Sequence, residues 1–325
     1  MDPVGMLIIT GGSGFIGSNL VKALNDRGRD DLMIVDSFQN GQKLRNLVDC
    51  ELWDVVNKDR FQEWLLGDRE LEEKIDAIFH LGACSNTMEW DGDAVLRDNY
   101  EYSKLLLSYC TRREIPLIYA SSASVYGSGT TFREERRYES PLNPYAHSKF
   151  LFDQLTRRLR QNFRSQVVGL RYFNVYGPRE RHKGEMSSVA YKLSQQLRRG
   201  DRVGLFAGSN GYADGEQKRD FVWVGDCVDV NLWMLDHPEV SGIFNVGSGR
   251  AQTFNDVANA VVKATGHGKV EYIPFPPELA GVYQDFTQAD ISELRKAGYE
   301  KEFLSVEEAV PLYIEWLKSN AEDPR

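Results

Sequence analysis

The stretch Thr10-Gly11-Gly12-Ser13-Gly14-Phe15-Ile16-Gly17 holds two interleaved glycine triplets. Gly12, Gly14 and Gly17 fit G-x-G-x-x-G, and Gly11, Gly14 and Gly17 fit the looser G-x-x-G-x-x-G. The apolar run before it, residues 6–10 (MLIIT), reads as a buried strand, and residues 15–27 after it read as a helix. Such a turn aims the free N–H groups and positive dipole end of the helix at a phosphate. The first glycines let the backbone turn tightly and approach a pyrophosphate, and the last lets helix and strand pack closely. A second apolar run, residues 32–35 (LMIV), leads into Asp36, which lies 19 residues past Gly17, where an acid takes a ribose hydroxyl. The combination implies a dinucleotide-binding βαβ unit.

Working outward, short apolar runs alternate with longer amphipathic ones. Residues 77–81, 117–120 and 167–170 read as further strands, with helical patterns at 94–113 and 145–162. Continuous apolar strands alternating with helices predict an α/β chain whose parallel sheet is covered on both faces, the Rossmann-type doubly wound arrangement. After about residue 175 the pattern loosens, with helices expected at 186–199, 225–235, 254–265 and 306–318 and an irregular connection at 275–277. The expected division is a dinucleotide-binding domain of residues 1–175 plus 220–247. A smaller, discontinuous α/β substrate domain would take 176–219 plus 248–325.

Composition narrows the function classes. The 325 residues are 42% hydrophobic and 27% charged, enough apolar material for a core and too much for a disordered chain. Lys+Arg 39 against Asp+Glu 48 gives a net charge of −9, which argues against sequence-independent binding of nucleic acid or an anionic membrane. There is no apolar run of spanning length and no leader pattern at the start, and the four cysteines lie far apart without a C-x-x-C. A cytoplasmic protein with reduced thiols is expected. His80 and Cys84 are four apart but fall at a strand end and its loop, and no metal site is expected.

Chemistry concentrates downstream. Ser121-Ser122-Ala123-Ser124-Val125-Tyr126-Gly127 follows the strand at 117–120, and Tyr145-Ala146-His147-Ser148-Lys149 opens a helix. Tyr145 and Lys149, four residues apart, share one helix face. A phenol titrating near 10 is a poor base, and moving it to about 7 takes roughly 4 kcal/mol of preference for the phenolate. The Lys149 ammonium and a positively charged nicotinamide supply that preference. Ser122 is placed to donate to the substrate oxygen.

These motifs, with Arg219-Asp220-Phe221-Val222-x-Val224, resemble the extended short-chain dehydrogenase/reductase superfamily over nearly the whole chain. More narrowly, the chain is similar to the ADP-L-glycero-D-manno-heptose 6-epimerases. That likeness is carried by Leu81-Gly82-Ala83-Cys84-Ser85, Glu89-Trp90-Asp91-Gly92 and Pro141-Leu142-Asn143-x-Tyr145-x-x-Ser148-Lys149. It extends through Arg171-Tyr172-Phe173-Asn174-Val175-Tyr176-Gly177-Pro178-Arg179-Glu180-x-His182-Lys183-Gly184 and Phe286-Thr287-Gln288-Ala289-Asp290.

The resemblance implies inversion of C6 in an ADP-heptose used for the lipopolysaccharide core, by oxidation with bound NADP and reduction from the other face. It implies catalytic roles for Tyr145, Lys149, Ser122 and Lys183. Besides the glycine loop, it lines the cofactor with Phe15, Ile16, Asp36, Ser37, Lys43, Lys58, Leu81, Gly82, Ala83, Cys84, Ser85, Asn99, Lys149 and Val175. It lines the substrate with Asn174, Glu185, Lys192, Phe206, Ala207, Gly208, Ser209, Arg219 and Tyr283. A homo-oligomer is implied as well. NAD is the alternative cofactor, since Asp36 suits a free 2′-hydroxyl whereas Lys43 suits a 2′-phosphate. The chain departs from the family pattern at Leu81, Glu185, Lys192 and Val282. An added carboxylate at Glu185 would repel a nucleotide-sugar unless Arg181 or Lys192 offsets it. The competing readings are a UDP-hexose 4-epimerase and a non-catalytic NADP-binding scaffold. A 4,6-dehydratase fits less well, because Ala123-Ser124 stands where Asp-Glu would follow the serine.

Overall fold

The computed structural model describes residues 5–69, 73–276 and 284–320. The first half of the chain runs through β1 (Met6–Thr10), α1 (Phe15–Asp26), β2 (Leu32–Asp36), β3 (Asp54–Asn57), α2 (Lys58–Leu66) and β4 (Ile75–His80). It continues with α3 (Gly92–Val95), α4 (Tyr102–Arg113), β5 (Leu117–Ser122), α5 (Pro144–Leu159) and β6 (Val167–Tyr172). The second half holds β7 (Asn174–Tyr176), α6 (Val189–Arg199), β8 (Arg202–Phe206), β9 (Lys218–Arg219), β10 (Phe221–Trp223), α7 (Val224–Asp236) and β11 (Gly242–Val246). It ends with β12 (Gln252–Thr253), α8 (Phe254–Thr265), β13 (Lys269–Ile273), α9 (Ser292–Lys296) and α10 (Val306–Ser319).

A seven-stranded sheet in the order β11-β6-β5-β4-β1-β2-β3 forms the centre, every pairing parallel. From β1 the order runs to β2 and β3 on one side and to β4 on the other. The crevice at the C-terminal ends of β1 and β4 is therefore a topological switch point, where doubly wound sheets take their ligands. All five residues of β1 and of β2 are buried, as continuous apolar strands covered on both faces require. One face packs Leu7, Ile9, Ile34 and Phe79 against Leu20 and Leu24 of α1. The other packs Ile8, Met33, Val35 and Ile78 against Leu106 of α4 and Phe152 of α5. A third core joins α6, α8, α10 and β8 through Leu193, Leu197, Val203, Leu205, Val257, Val261 and Val310.

Two strands of the main sheet escape the sequence pattern. β3 is four residues with only Val56 buried, and β11 (GIFNV) carries a polar Asn245 as its fourth residue. The helix expected over 94–113 is not uniform. Residues Leu96–Glu101 form a π-helical segment between α3 and α4, a feature that often marks functional sites. After residue 175 short strand pairs accompany the helices: β7 with β10 and β8 with β13 in parallel, β9 with β12 antiparallel. Phe275 and Pro276 lie in irregular chain, as the prolines suggest, and Pro277 is outside the described residues. Among the described residues no helix is long and apolar enough to cross a membrane, and no group of His, Cys, Asp and Glu is set to hold a metal ion.

Candidate active site

The phosphate loop begins where β1 ends. Gly11 turns with φ +70°, and the Gly14 N–H donates to Gly11 O at 2.9 Å. Gly14 is the extended N-cap of α1 and, having no side chain, leaves the helix start without a side-chain cap. A Cβ at Gly17 would stand 2.2 Å from Gly11 O, and one at Gly11 would stand 2.5 Å from Gly82 N. The loops after β1 and β4 thus meet too closely for any side chain. Free helix N–H groups over a bare backbone cradle suit a pyrophosphate.

A cavity of about 500 Å³ opens from this cradle. Gly11, Gly14, Phe15, Ile16, Gly17, Asp36, Lys43, Leu81, Gly82, Ala83, Cys84, Ser85, Lys149 and Val175 line it, with Ser122, Tyr145 and Lys183. A second cavity of about 480 Å³ shares Gly11, Asp36, Lys43, Gly82, Ala83 and Cys84 and adds Ser37 and Lys58. The surface of 15623 Å² offers other hollows, and size does not mark the site: a cavity of about 670 Å³ around Tyr119, Glu134 and Phe244 shares no lining residue with this groove.

Asp36 closes β2 with its carboxylate fully engaged. Ser13 donates to Oδ2 from its N–H at 3.1 Å and its hydroxyl at 2.5 Å, and Lys43 Nζ donates to Oδ1 at 2.8 Å. Lys58 pairs with Asp98 at 3.2 Å. Asn99 does not line either cavity. It is buried in the π-helical segment, where its amide brackets Cys84 from both sides: Oδ1 accepts from Cys84 N at 2.7 Å and Nδ2 donates to Cys84 O at 3.0 Å. The same Nδ2 donates to Ser148 Oγ at 3.0 Å. Asn99 therefore shapes the groove wall from behind.

α5 starts on an Asn143 cap, whose Oδ1 accepts from Ala146 N at 2.8 Å, with Pro144 in the first turn. That start brings Tyr145 and Lys149 to the cavity opposite Ser122 at the end of β5. Lys149 is buried, and its Nζ donates to Ala120 O at 2.8 Å. Burial pushes its ammonium down to about 8, against the pull of Asp153. Tyr145 is half-buried. Burial raises its hydroxyl, the hydrogen bond with Ser122 lowers it, and the Cys84 thiol adds to the rise. One turn beyond Lys149, Asp153 accepts from Tyr119 and Ser121 hydroxyls, each at 2.9 Å, and from Arg171 Nε at 2.9 Å. Arg171 is fully buried and also pairs with Glu139, which Arg157 holds at 2.6 Å.

Lys183 sits in the turn Arg181–Met186, its Nζ 5.0 Å from the centre of the Phe15 ring. Burial lowers its ammonium, Glu180 opposes that, and Lys192 adds to it. Glu180 anchors the turn, accepting from Ser188 Oγ at 2.6 Å and from Tyr313 OH at 3.0 Å. His182, next to Lys183, lines the same cavity. Burial, Lys43 and Lys183 push it down to about 4.

Among the described residues, those expected at the substrate do not line that cavity. Exposed Asn174 neighbours Val175, and its Oδ1 accepts from Thr287 Oγ1 at 3.3 Å. Phe206 packs edge-on to Phe275 with ring centres 5.6 Å apart. Ala207 N donates to Ile273 O at 2.8 Å, Gly208 N to Asp214 Oδ1 at 2.7 Å, and Ser209 Oγ to Asp285 Oδ1 at 3.4 Å. Arg219 is buried, 5.8 Å from the Phe254 ring, and donates to Lys218 O at 3.0 Å. Its neighbour Asp220 accepts from the N–H groups of Ser248, Gly249 and Ala289 at 2.6, 3.0 and 2.9 Å, and burial pushes its carboxyl up to about 6. Glu185 is fully exposed, and Lys192 Nζ stands 3.8 Å from its carboxylate, an ion pair that solvent screens. Tyr283, with Gly281 and Val282, lies outside the described residues. The local sequence gives no structural role to Asp153, Arg171 or Glu180, because partners that hold them, such as Tyr119 for Asp153 and Tyr313 for Glu180, are distant in the chain.

The model of the NAD dependent epimerase/dehydratase family matches residues 7–247. An ADP-L-glycero-D-manno-heptose-6-epimerase from Alkalilimnicola ehrlichii is 56% identical over 310 residues, 95% of this chain and 97% of that protein. The crystal structure of the Helicobacter pylori ADP-L-glycero-D-manno-heptose-6-epimerase superposes with a TM-score of 0.83 at 28% identity, covering 97% of this chain and 96% of that one. A UDP-N-acetylglucosamine 4-epimerase from Methanobrevibacter ruminantium superposes with a TM-score of 0.81 at 26% identity, covering 97% and 98%. With the glycine cradle, the parallel sheet and the Ser122, Tyr145 and Lys149 constellation in place, the chain belongs to the NAD dependent epimerase/dehydratase family.

Proposed function

We propose that the chain inverts C6 of the heptose in ADP-D-glycero-D-manno-heptose to give the L-glycero epimer, using tightly held NADP. One observation carries the reading: two ionisable groups of different type, Tyr145 and Lys183, reach one cavity from separate elements, α5 and the turn Arg181–Met186. Inversion through a planar carbon needs a proton handler on each face of that carbon. The 56% identity with the Alkalilimnicola ehrlichii epimerase supports the choice of sugar.

The C6 hydrogen of a secondary alcohol is not acidic, so simple deprotonation is unavailable at neutral pH. When bound, a nicotinamide supplies a reversible two-electron acceptor for the carbon. The protein's own groups do the rest. Gly11, Gly14 and Gly17 with the α1 N-terminus hold the pyrophosphate, and Asp36 and Lys43 hold the adenosine ribose. Tyr145 takes the hydroxyl proton of one epimer, with Ser122 as donor to the same oxygen and Lys149 favouring the phenolate. Lys183 handles the proton for the other epimer. Lys43 and Lys58 near Ser37 support a 2′-phosphate and hence NADP over NAD. The lobe of residues 176–219 plus 248–325 takes the ADP-sugar, with Arg219 suited to a two-pronged grip on its pyrophosphate. The reducing cytoplasm is its setting, a reading supported by four free cysteines.

The test is to incubate the protein with ADP-D-glycero-D-manno-heptose and, separately, with UDP-glucose, and to resolve the product epimers. Conversion of the heptose alone is expected. Conversion of UDP-glucose alone would replace this reading with a hexose 4-epimerase, and a bound dinucleotide without any conversion would leave a scaffold.

A further inference from the structure

The turn that presents Lys183 is docked on the first βαβ unit. Asn46 Nδ2 donates to Ser13 O in the phosphate loop at 3.0 Å and lies 3.1 Å from His182 Nδ1. Asn19 of α1 donates to Phe15 O at 2.8 Å and to Pro178 O at 2.9 Å. Arg179, held at φ +69°, donates to Asn46 O and to Asp49 Oδ2, the latter at 2.7 Å. Asn46 itself belongs to the turn Gly41–Leu47, which also carries Lys43.

The chemistry of these contacts fixes the protons. A backbone carbonyl only accepts, so the amide nitrogen of Asn46 must face Ser13 O. The same nitrogen meets His182 Nδ1, which must therefore accept. That leaves His182 a neutral imidazole with its proton on Nε2.

We propose that Asn46 is a positioning residue for the second proton-handling group: its amide spans the phosphate loop and His182, and so sets where Lys183 stands relative to a dinucleotide in the groove. The inference rests on the proposed role of Lys183. The charges around His182 agree with it. Burial, Lys43 and Lys183 all disfavour the imidazolium, outweighing Asp36 and the Arg179 carbonyl.

The experiment uses the full chain, with labelled histidine observed by NMR before any nucleotide is added. In the parent protein His182 should stay neutral with the Nε2 proton across about pH 5–8. Asn46→Leu removes both donated hydrogen bonds. It should mix the His182 tautomers and lower turnover of ADP-heptose about tenfold or more, with NADP affinity changed less than about threefold. His182→Asn keeps an acceptor for Asn46 and should retain more turnover than His182→Leu, a comparison that stands even if Asn46→Leu folds poorly. An unchanged ring and unchanged turnover in Asn46→Leu overturn the proposal, as does a parallel loss of NADP affinity and turnover. If the parent protein epimerises no ADP-heptose, the functional reading fails instead, and an undisturbed His182 ring in Asn46→Leu still overturns the clamp.

Discussion

Lys43 Nζ lies 2.8 Å from Asp36 Oδ1, so the acid at the end of β2 and the cation on the next turn line the groove as a pair. A carboxylate alone would repel a 2′-phosphate, and the ammonium beside it cancels that repulsion. Lys43→Ala should therefore weaken NADP binding about tenfold, or ~1.4 kcal/mol, while NAD affinity changes less than about threefold. Equilibrium titration with both dinucleotides checks this, and an unchanged NADP-to-NAD ratio would remove Lys43 from cofactor selection.

Tyr145→Phe deletes the hydroxyl that shares a hydrogen bond with Ser122. Turnover of ADP-heptose should fall by about 10²–10⁴-fold, the usual worth of a general acid/base, with the dinucleotide still bound. Measured kcat against NADP affinity separates the two, and a variant with parental kcat would strip the residue of its role.

Lys149 gives the pH dependence a sign. Burial holds its ammonium down to about 8, so the positive charge that the proposed mechanism draws on is present below that value and lost as pH rises through it. Activity should decline on that alkaline side. Asp153 favours the ammonium, so Asp153→Asn should move the decline to lower pH. A pH–rate profile of both proteins tests the shift, and a decline that stays in place would separate Lys149 from Asp153.

Lys183→Ala should lower turnover about tenfold or more while NADP binding persists, because it removes an ammonium that stands over the Phe15 ring and leaves the glycine cradle intact. Full turnover in a nucleotide-loaded variant would return Lys183 to the ordinary surface.

The ion network behind α5 is a matter of stability. Arg171 and Glu139 are fully buried side chains in contact, with Asp153 completing the group. Arg171→Met leaves buried Asp153 without its guanidinium and Glu139 with Arg157 alone, and should cost about 3–5 kcal/mol in urea unfolding. A loss below about 1 kcal/mol would mean that Arg157 and the Tyr119 and Ser121 hydroxyls satisfy them unaided.

The legible parts of this molecule are those whose residues act locally. β1, β2, β4, β5 and β6 announce themselves as short, largely apolar runs because both sheet faces are covered. The glycine loop and the Tyr145–Lys149 pair are readable because their geometry is set within one turn of chain. β11 hides because Asn245 breaks its apolar run, and the fold explains the residue: Asn245 Oδ1 accepts from Tyr126 OH at 2.7 Å and Nδ2 donates to Phe132 O at 2.7 Å. The π-helical segment around Asn99 hides inside an otherwise regular helical pattern, since one shifted hydrogen-bond register leaves no compositional trace. The contact between Asn46 and His182 joins residues 136 apart, and nothing in either neighbourhood points to the other.

The most direct test of the account follows the C6 hydrogen itself. ADP-D-glycero-D-manno-heptose carrying deuterium at C6 is incubated with the NADP-loaded protein in ordinary water, and the L-glycero product is isolated and weighed by mass spectrometry. Retention of the deuterium in the inverted product is predicted, because the hydrogen leaves and returns within a closed site. Inverted product in which solvent hydrogen has replaced the deuterium would contradict transient oxidation and point to proton abstraction at carbon.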